Sequence, residues 1–161
     1  GVVVDLRENG GGDMGPMLAG LSPLLPDGTV TSFVIQGRTS DAALEDGTIK
    51  GGGTSISVGA RDKLDVPVAV LTSGTTSSSG EQTLLAFRGL DNARAFGDPT
   101  RGYASVNQEY PLYTGRTMVL TTGISQARTG ERFSEEPIAP DVEVPSQEAP
   151  AAAAEWIASR P

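Results

Sequence analysis

Three consecutive serines, Ser77-Ser78-Ser79, stand where serine chemistry is easiest to build. They follow a hydrophobic run, Val66-Pro67-Val68-Ala69-Val70-Leu71-Thr72, and a short turn, Ser73-Gly74-Thr75-Thr76, and they lead through Gly80-Glu81 into a helical pattern carrying Leu84, Leu85 and Ala86. A buried strand that turns sharply into a helix lifts one hydroxyl above a sheet edge. It holds that hydroxyl at the positive end of the helix, where unpaired amides stabilise an oxyanion. The chemistry is acyl transfer, with Ser78 as attacking oxygen and the Ser79 N–H facing the same space. A serine hydroxyl needs a base to take its proton, yet the chain has no histidine and no cysteine. The same residues fit a plainer role. Ser78 and Glu81 have the spacing of a capping box, in which Ser78 is the N-cap and Glu81 reaches back from the third helical position. Local sequence leaves both readings open. The match to the nucleophile elbow of the alpha/beta-hydrolases is partial, because Thr76 stands at its first glycine.

A second element is Asp5-Leu6-Arg7-Glu8-Asn9-Gly10-Gly11-Gly12. A strand that ends in three glycines exposes backbone N–H groups that could donate to an oxyanion; otherwise it is a flexible turn. It lacks the glycine spacing of a dinucleotide-binding loop.

The elements that must position these residues follow from hydrophobic patterning. Residues 2–7 and 66–72 read as buried strands, 30–35 as another, and 55–58 and 93–96 as short ones. Met14 to Leu25 reads as a helix interrupted at Pro23, and 79–89 as a helix. Residues 37–54, polar and glycine-rich, read as a long loop or flap. Residues 105–122 alternate like a hairpin and end in the strand 117–121. Residues 137–145 read as irregular, and 151–159 as a short terminal helix carrying Trp156. The alternation of strands and helices predicts an α/β fold with a mostly parallel sheet and flanking helices.

The length, 161 residues, suits one domain with a core. A net charge of −8 argues against a nucleic-acid partner, which needs clustered Lys and Arg. Without cysteine there are no disulfides or thiolate metal sites, and no cofactor or metal is implied. No run approaches the ~18 apolar residues of a membrane span. The chain opens at Gly1 directly on a hydrophobic strand, without Met. The expectation is therefore a piece of a longer protein whose N-terminal part supplies further residues.

Taken together the motifs resemble the C-terminal processing peptidases, also called tail-specific proteases. Asp5 to Gly12 is similar to that family's Asp-Leu-Arg-x-Asn-x-Gly-Gly, and Thr76 to Glu81 to its Thr-x-Ser-x-x-Glu. Gly97-Asp98-Pro99-Thr100-Arg101-Gly102 is similar to its Gly-Glu-Pro-Thr-x-Gly, and Pro140-Asp141-Val142-Glu143-Val144 to its Pro-Asp-x-x-Val. Four motifs in order cover nearly the whole chain. The resemblance implies a Clp/crotonase-like spiral of strand-strand-helix units and a serine endopeptidase acting near protein or peptide C-termini. Residues 1–145 would be part of the catalytic domain and 146–161 a proline- and alanine-rich tail. Ser78 would be the nucleophile, and the Ser79 and Gly11 N–H groups the oxyanion hole. Asp5 and Arg7 would fix the strand end. Relatives are mostly extracytoplasmic.

The departure lies at the base. Where many members carry lysine after Thr-x-Gly, this chain has Tyr103, a phenol of pKa about 10. The only two lysines, Lys50 and Lys63, read as solvated charges. Asn107 and Gln108 fall near the family's glutamine. A second branch, resembling tricorn protease, takes its histidine from before the Asp-Leu-Arg strand and a glutamate from near the Pro-Asp motif, here Glu135 or Glu136. Two rivals remain. One is an inactive module of the same fold that binds a peptide or hydrophobic ligand; the other is a crotonase-like acyl-CoA enzyme.

Overall fold

The structure, a computed structural model, describes residues 1–160. Two sheets carry the chain. β1 (Val2–Asp5) leads through the glycine turn into α1 (Met14–Gly20) and a short 3-10 turn at Ser22–Leu24. The helix starts at Asp13, whose carboxylate accepts the Gly15 N–H, and the 3-10 turn carries Pro23 at its start. There follow β2 (Gly28–Ile35), β3 (Arg38–Glu45), β4 (Thr48–Lys50) and β5 (Ile56–Ser57). Next come β6 (Val68–Thr72), α2 (Ser79–Phe87) and β7 (Ala93–Gly97). The chain ends with β8 (Val106–Pro111), β9 (Thr117–Gln126), β10 (Arg132–Phe133), β11 (Val142–Glu143) and α3 (Ala149–Ala158).

The first sheet, in the order β1-β6-β7-β11, is parallel at every pairing. Its central strand β6 is buried at all five positions. Val68 and Val70 join the main core, while Ala69 and Leu71 face the other side, where Phe96, Ala149, Ala153 and Trp156 pack with them. A strand covered on both faces has no polar side to show, which is why 66–72 reads as one apolar run.

The second sheet departs from the expected mostly parallel arrangement. It runs β10-β9-β2-β3-β4-β5, with β8 also on β9, and every pairing in it is antiparallel. The reason lies in the stretch 37–54 that reads as a loop. Gln36-Gly37 and Asp46-Gly47 are two-residue turns with φ of 49° and 77°, and of 47° and 73°. Positive φ at both central positions is what a tight hairpin needs to match strand twist. These turns fold β2, β3 and β4 into a meander, and Ala42, Leu44 and Ile49 point into the core.

α2 lies between the two sheets. Every residue from Gly80 to Phe87 is buried, and Leu84 and Leu85 share one cluster with Val4, Val70, Val30 and Phe33. A polar contact crosses this layer: the Gln82 side-chain amide donates to Ser125 Oγ and to the Ala104 carbonyl. The N-terminus of α2 is therefore fixed at the C-terminal ends of β1 and β6.

Candidate active site

The ends of the parallel strands are clasped before any chemistry is placed on them. Arg7 Nε donates to Asp5 Oδ1 at 2.9 Å and its Nη2 to Asp5 Oδ2 at 2.6 Å, while Nη1 reaches the Ser146 carbonyl. The Arg7 hydrogen bond holds the Asp5 carboxyl below its ordinary range. Asp5 and Arg7 thus tie β1 to the segment that precedes α3.

The serine-rich turn is stitched to the strand-and-glycine segment by its hydroxyls. Ser73 Oγ donates to the Arg7 carbonyl, and Thr76 Oγ1 to the Leu6 carbonyl at 2.8 Å. Ser77 Oγ donates to the Gly10 carbonyl at 2.9 Å, and Ser79 Oγ to the Gly12 carbonyl at 2.6 Å. The Ser77 N–H adds a bond to the Asn9 carbonyl. Ser78 is the exception among the three serines: its hydroxyl reaches no carbonyl of the glycine segment, and it stands as the N-cap of α2 in a capping box with Glu81. Its backbone has φ 52° and ψ −121°. An N-cap residue typically has a β-region backbone, and Ser78 departs from it while capping α2. Positive φ in a non-glycine residue costs energy and persists only where the surroundings impose it.

Two backbone positions beside Ser78 carry the expected oxyanion amides, Ser79 next in the chain and Gly11 packed against the Ser78 side chain. The Ser79 N–H, at the first position of α2, has no partner inside the helix, and no other described group accepts from it. Gly11, with φ 109°, is the closer approach: a Cβ built there would lie 2.8 Å from Ser78 Cβ and 3.3 Å from Ser78 Oγ. The Gly11 N–H itself donates to Asn9 Oδ1 at 3.0 Å.

Glu81 sits behind this turn and is fully buried. Its Oε2 accepts from the Ser78 N–H at 2.8 Å and the Tyr103 N–H at 2.9 Å. Its Oε1 accepts from Thr100 Oγ1 at 2.5 Å and the Gly102 N–H at 2.9 Å. Thr100 Oγ1 in turn accepts from the Ile138 N–H. Gly102 packs against the backbone of 135–137 so closely that a Cβ would lie 2.8 Å from Pro137 N. One carboxylate therefore joins the serine turn, the Pro-Thr segment and the approach to the Pro-Asp motif. Sequence reading places Glu81 in a capping box and misses the other three donors. Its signal was a charged residue at a helix position flanked by buried ones.

Ser78 opens onto a cleft of about 620 Å³ lined by Tyr103, Ser105, Asn107, Thr121 and Glu135. The structure brings Glu135 to the serine and not Glu136, whose carboxylate instead accepts the Glu135 N–H. Asn107 reaches the cleft and accepts from Thr121 Oγ1, while Gln108 turns to Tyr110. Ser105 and Thr121 are lining residues that sequence reading did not single out. Tyr103 lies at the rim, half-exposed, with the Arg101 guanidinium 5.1 Å from its ring centre. The lysines are elsewhere: Lys50 lies beside Glu45, and Lys63 donates to Asp27 and the Ser22 carbonyl. Among the described residues the cleft lining holds no amine or imidazole. Nor does any group of three or more His, Cys, Asp or Glu among them suit a metal ion, and no helix is long and apolar enough to cross a membrane.

Comparison with known proteins adds four findings. The sequence model described as Peptidase family S41 matches residues 1–144. A nisin-resistance protein of Lactococcus lactis subsp. lactis is 42% identical over 162 residues, covering 99% of this chain and 50% of that protein. Among solved structures, a lipoprotein from Streptococcus agalactiae superposes with a TM-score of 0.81 at 31% identity, over 99% of this chain and 54% of that one. A photosystem II D1 C-terminal processing protease shares the fold, with a TM-score of 0.68 at 23% identity over 90% of this chain and 34% of that one. The chain spans about half the length of the nisin-resistance protein and of the lipoprotein.

Proposed function

The chain belongs to peptidase family S41, and from that premise we propose that it is the serine-bearing part of a serine peptidase's catalytic domain, with Ser78 as nucleophile. The observation that carries this reading is the division of labour in the turn. Ser73, Thr76, Ser77 and Ser79 spend their hydroxyls on the carbonyls of Arg7, Leu6, Gly10 and Gly12. Ser78 is held at positive φ, and its hydroxyl is bound to none of those carbonyls.

In the proposed reaction Ser78 Oγ attacks a peptide carbonyl while a base takes its proton. The tetrahedral oxyanion draws on the Ser79 N–H and on the Gly11 N–H, which becomes available when the Asn9 side chain releases it. The C–N bond then breaks as the base returns the proton to the leaving amine, and water hydrolyses the acyl-enzyme through the same base. The base is assigned to a histidine outside this chain, in an N-terminal part of the same protein, and Glu135 to orienting it from the cleft wall. The relative named for nisin resistance, at 42% identity, points to a peptide antibiotic as substrate. The motifs' resemblance adds a preference for cleavage near a C-terminus and an extracytoplasmic site of action. The span of residues 1–145 is assigned to the catalytic domain, with 146–161 as its tail.

A second reading, an inactive peptide-binding module, is favoured by one observation: the described cleft lining contains no residue that makes a good general base. A fluorophosphonate probe separates the two. The full-length protein is expected to label at Ser78, and Ser78→Ala to abolish both labelling and proteolysis. Labelling that survives the substitution sinks the assignment, and an unlabelled, folded full-length protein selects the binding module.

A further inference from the structure

We propose that Glu81 is the positioning residue of this site: an anionic bolt that fixes the Ser78 backbone and the cleft wall against each other. The inference rests on the reading of Ser78 as nucleophile. It starts from a cost. A buried carboxylate is unfavourable unless a cation or enough hydrogen-bond donors replace its water. Among the described residues Glu81 has no ion pair, so donors must do this alone. It has four, two on each oxygen, all between 2.5 and 2.9 Å.

A helix cap does not require this set. Capping needs a partner for amides at the start of α2, and of the four donors only the Ser78 N–H belongs there. The other three come from Thr100, Gly102 and Tyr103, in a separate segment of the chain. A neutral side chain at this place could not serve all four, because a glutamine amide would aim its NH₂ at two of the donors. The charge and the shape of Glu81 are both used.

Three consequences follow for Ser78. Its N–H is consumed by Oε2, which leaves the Ser79 N–H as the amide at this helix end that can face an oxyanion. That bond orients the peptide entering Ser78 while α2 orients the one leaving it, so the carboxylate helps hold Ser78 in its positive-φ conformation. The Tyr103 amide shares the same oxygen, and Thr100 and Gly102 carry the connection on to Ile138 and to the backbone of 135–137. The two walls of the cleft, Tyr103 and Glu135, are thus referenced to the serine through one group.

The test uses the full-length protein as wild type, Glu81→Gln, Thr100→Val and Ser78→Ala, with two measurements: fluorophosphonate inactivation resolved into KI and kinact, and amide hydrogen exchange of peptides covering 76–82 and 100–104. In Glu81→Gln kinact is expected to fall by about ten- to a hundredfold, the range expected from weakening charge-assisted hydrogen bonds. KI stays unchanged, and exchange at Ser78, Gly102 and Tyr103 speeds up. Thr100→Val removes one donor and shows the same pattern with a smaller fall. A folded Glu81→Gln protein with wild-type kinact, or with unchanged exchange at those amides, overturns the proposal. If Glu81→Gln does not fold, Thr100→Val decides by the same criteria. Absence of labelling in the wild type counts against the nucleophile, not against Glu81; the exchange measurement then settles Glu81 by itself.

Discussion

Gly11→Ala and Gly12→Ala form a matched pair that isolates what Gly11 does for Ser78. Both glycines have positive φ, 109° and 129°, so alanine at either adds backbone strain of about 1–3 kcal/mol. For a chain of this size that corresponds to a fall of about 2–12 °C in melting temperature. The surroundings differ. A Cβ at Gly12 finds only Met17 Cε, at 3.7 Å, an ordinary contact. A Cβ at Gly11 would sit 2.8 Å from Ser78 Cβ, where carbon atoms prefer about 3.5–4.0 Å. Something must move by about 1 Å, and the Ser78 backbone, pinned by Glu81, and the Gly11 segment share that movement. Misplacing a reacting group by about 1 Å costs on the order of a hundredfold in rate. Both variants are therefore expected to melt lower, Gly11→Ala by more because the clash adds to the strain, with fluorophosphonate labelling near the wild-type rate in Gly12→Ala and about a hundredfold slower in Gly11→Ala. The assay is the labelling rate of full-length protein well below its melting temperature. Equal labelling rates for the two variants would refute the argument that Gly11 is packed against the attacking oxygen.

Two further outcomes are expected. Thr76→Val keeps the shape of a buried side chain but leaves the Ser73 N–H without its partner and takes one of two donors from the Leu6 carbonyl, which keeps the Asn9 N–H. It should destabilise by about 2 kcal/mol, seen as a fall of about 4–8 °C on thermal melting, whereas Thr76→Ser retains most of the stability; an unchanged melt for Thr76→Val removes Thr76 from the clasp. The Asp5–Arg7 pair predicts a small acid dependence. The folded carboxyl lies below its ordinary 3.8 because of the Arg7 hydrogen bond. Its contribution is accordingly complete above the unfolded pKa of about 3.9 and is lost as pH falls through the depressed folded value. Asp5→Asn should flatten that part of the stability curve, measured by denaturant melts between neutral pH and acid, and a parallel acid dependence in the variant rules the pair out. The effect is modest because the pair is partly exposed.

The parallel half of the fold was legible because burial on both faces leaves its mark on every residue. Val68 to Thr72 has no polar alternation to mislead a reader, and Val2 to Asp5 pairs beside it in register. The antiparallel half was harder. In β3 only Ala42 and Leu44 carry the core-facing signal, set among Arg38, Thr39, Ser40 and Asp41, which are exposed. The turn residues were the better guide: Asp46-Gly47 is a strong short-range hairpin signal, outweighed here by the polar composition around it. In the cleft, Ser105, Asn107, Thr121 and Glu135 come from separate elements. No spacing along the chain relates them, because an antiparallel pairing, not a motif, brings Asn107 opposite Thr121.

Glu81 was visible only as half of a capping box because sequence reports the local partner and not the distant ones. In three dimensions the proposal that Ser78 is the nucleophile draws its support less from Glu81 than from the backbone of Ser78. A serine that caps a helix keeps an extended backbone and turns its hydroxyl back to the amides of the first turn. Ser78 keeps the capping box with Glu81 but departs from the extended backbone, with φ 52° and ψ −121°. Glu81 accepts from the serine's N–H, which is the reciprocal half of that capping box. Such a turn spends conformational energy to point one hydroxyl outward, while four neighbouring hydroxyls bind it down. A helix start alone has no use for that expense. A turn that must present one oxygen to a cleft, held from behind by a charge that never faces the substrate, does.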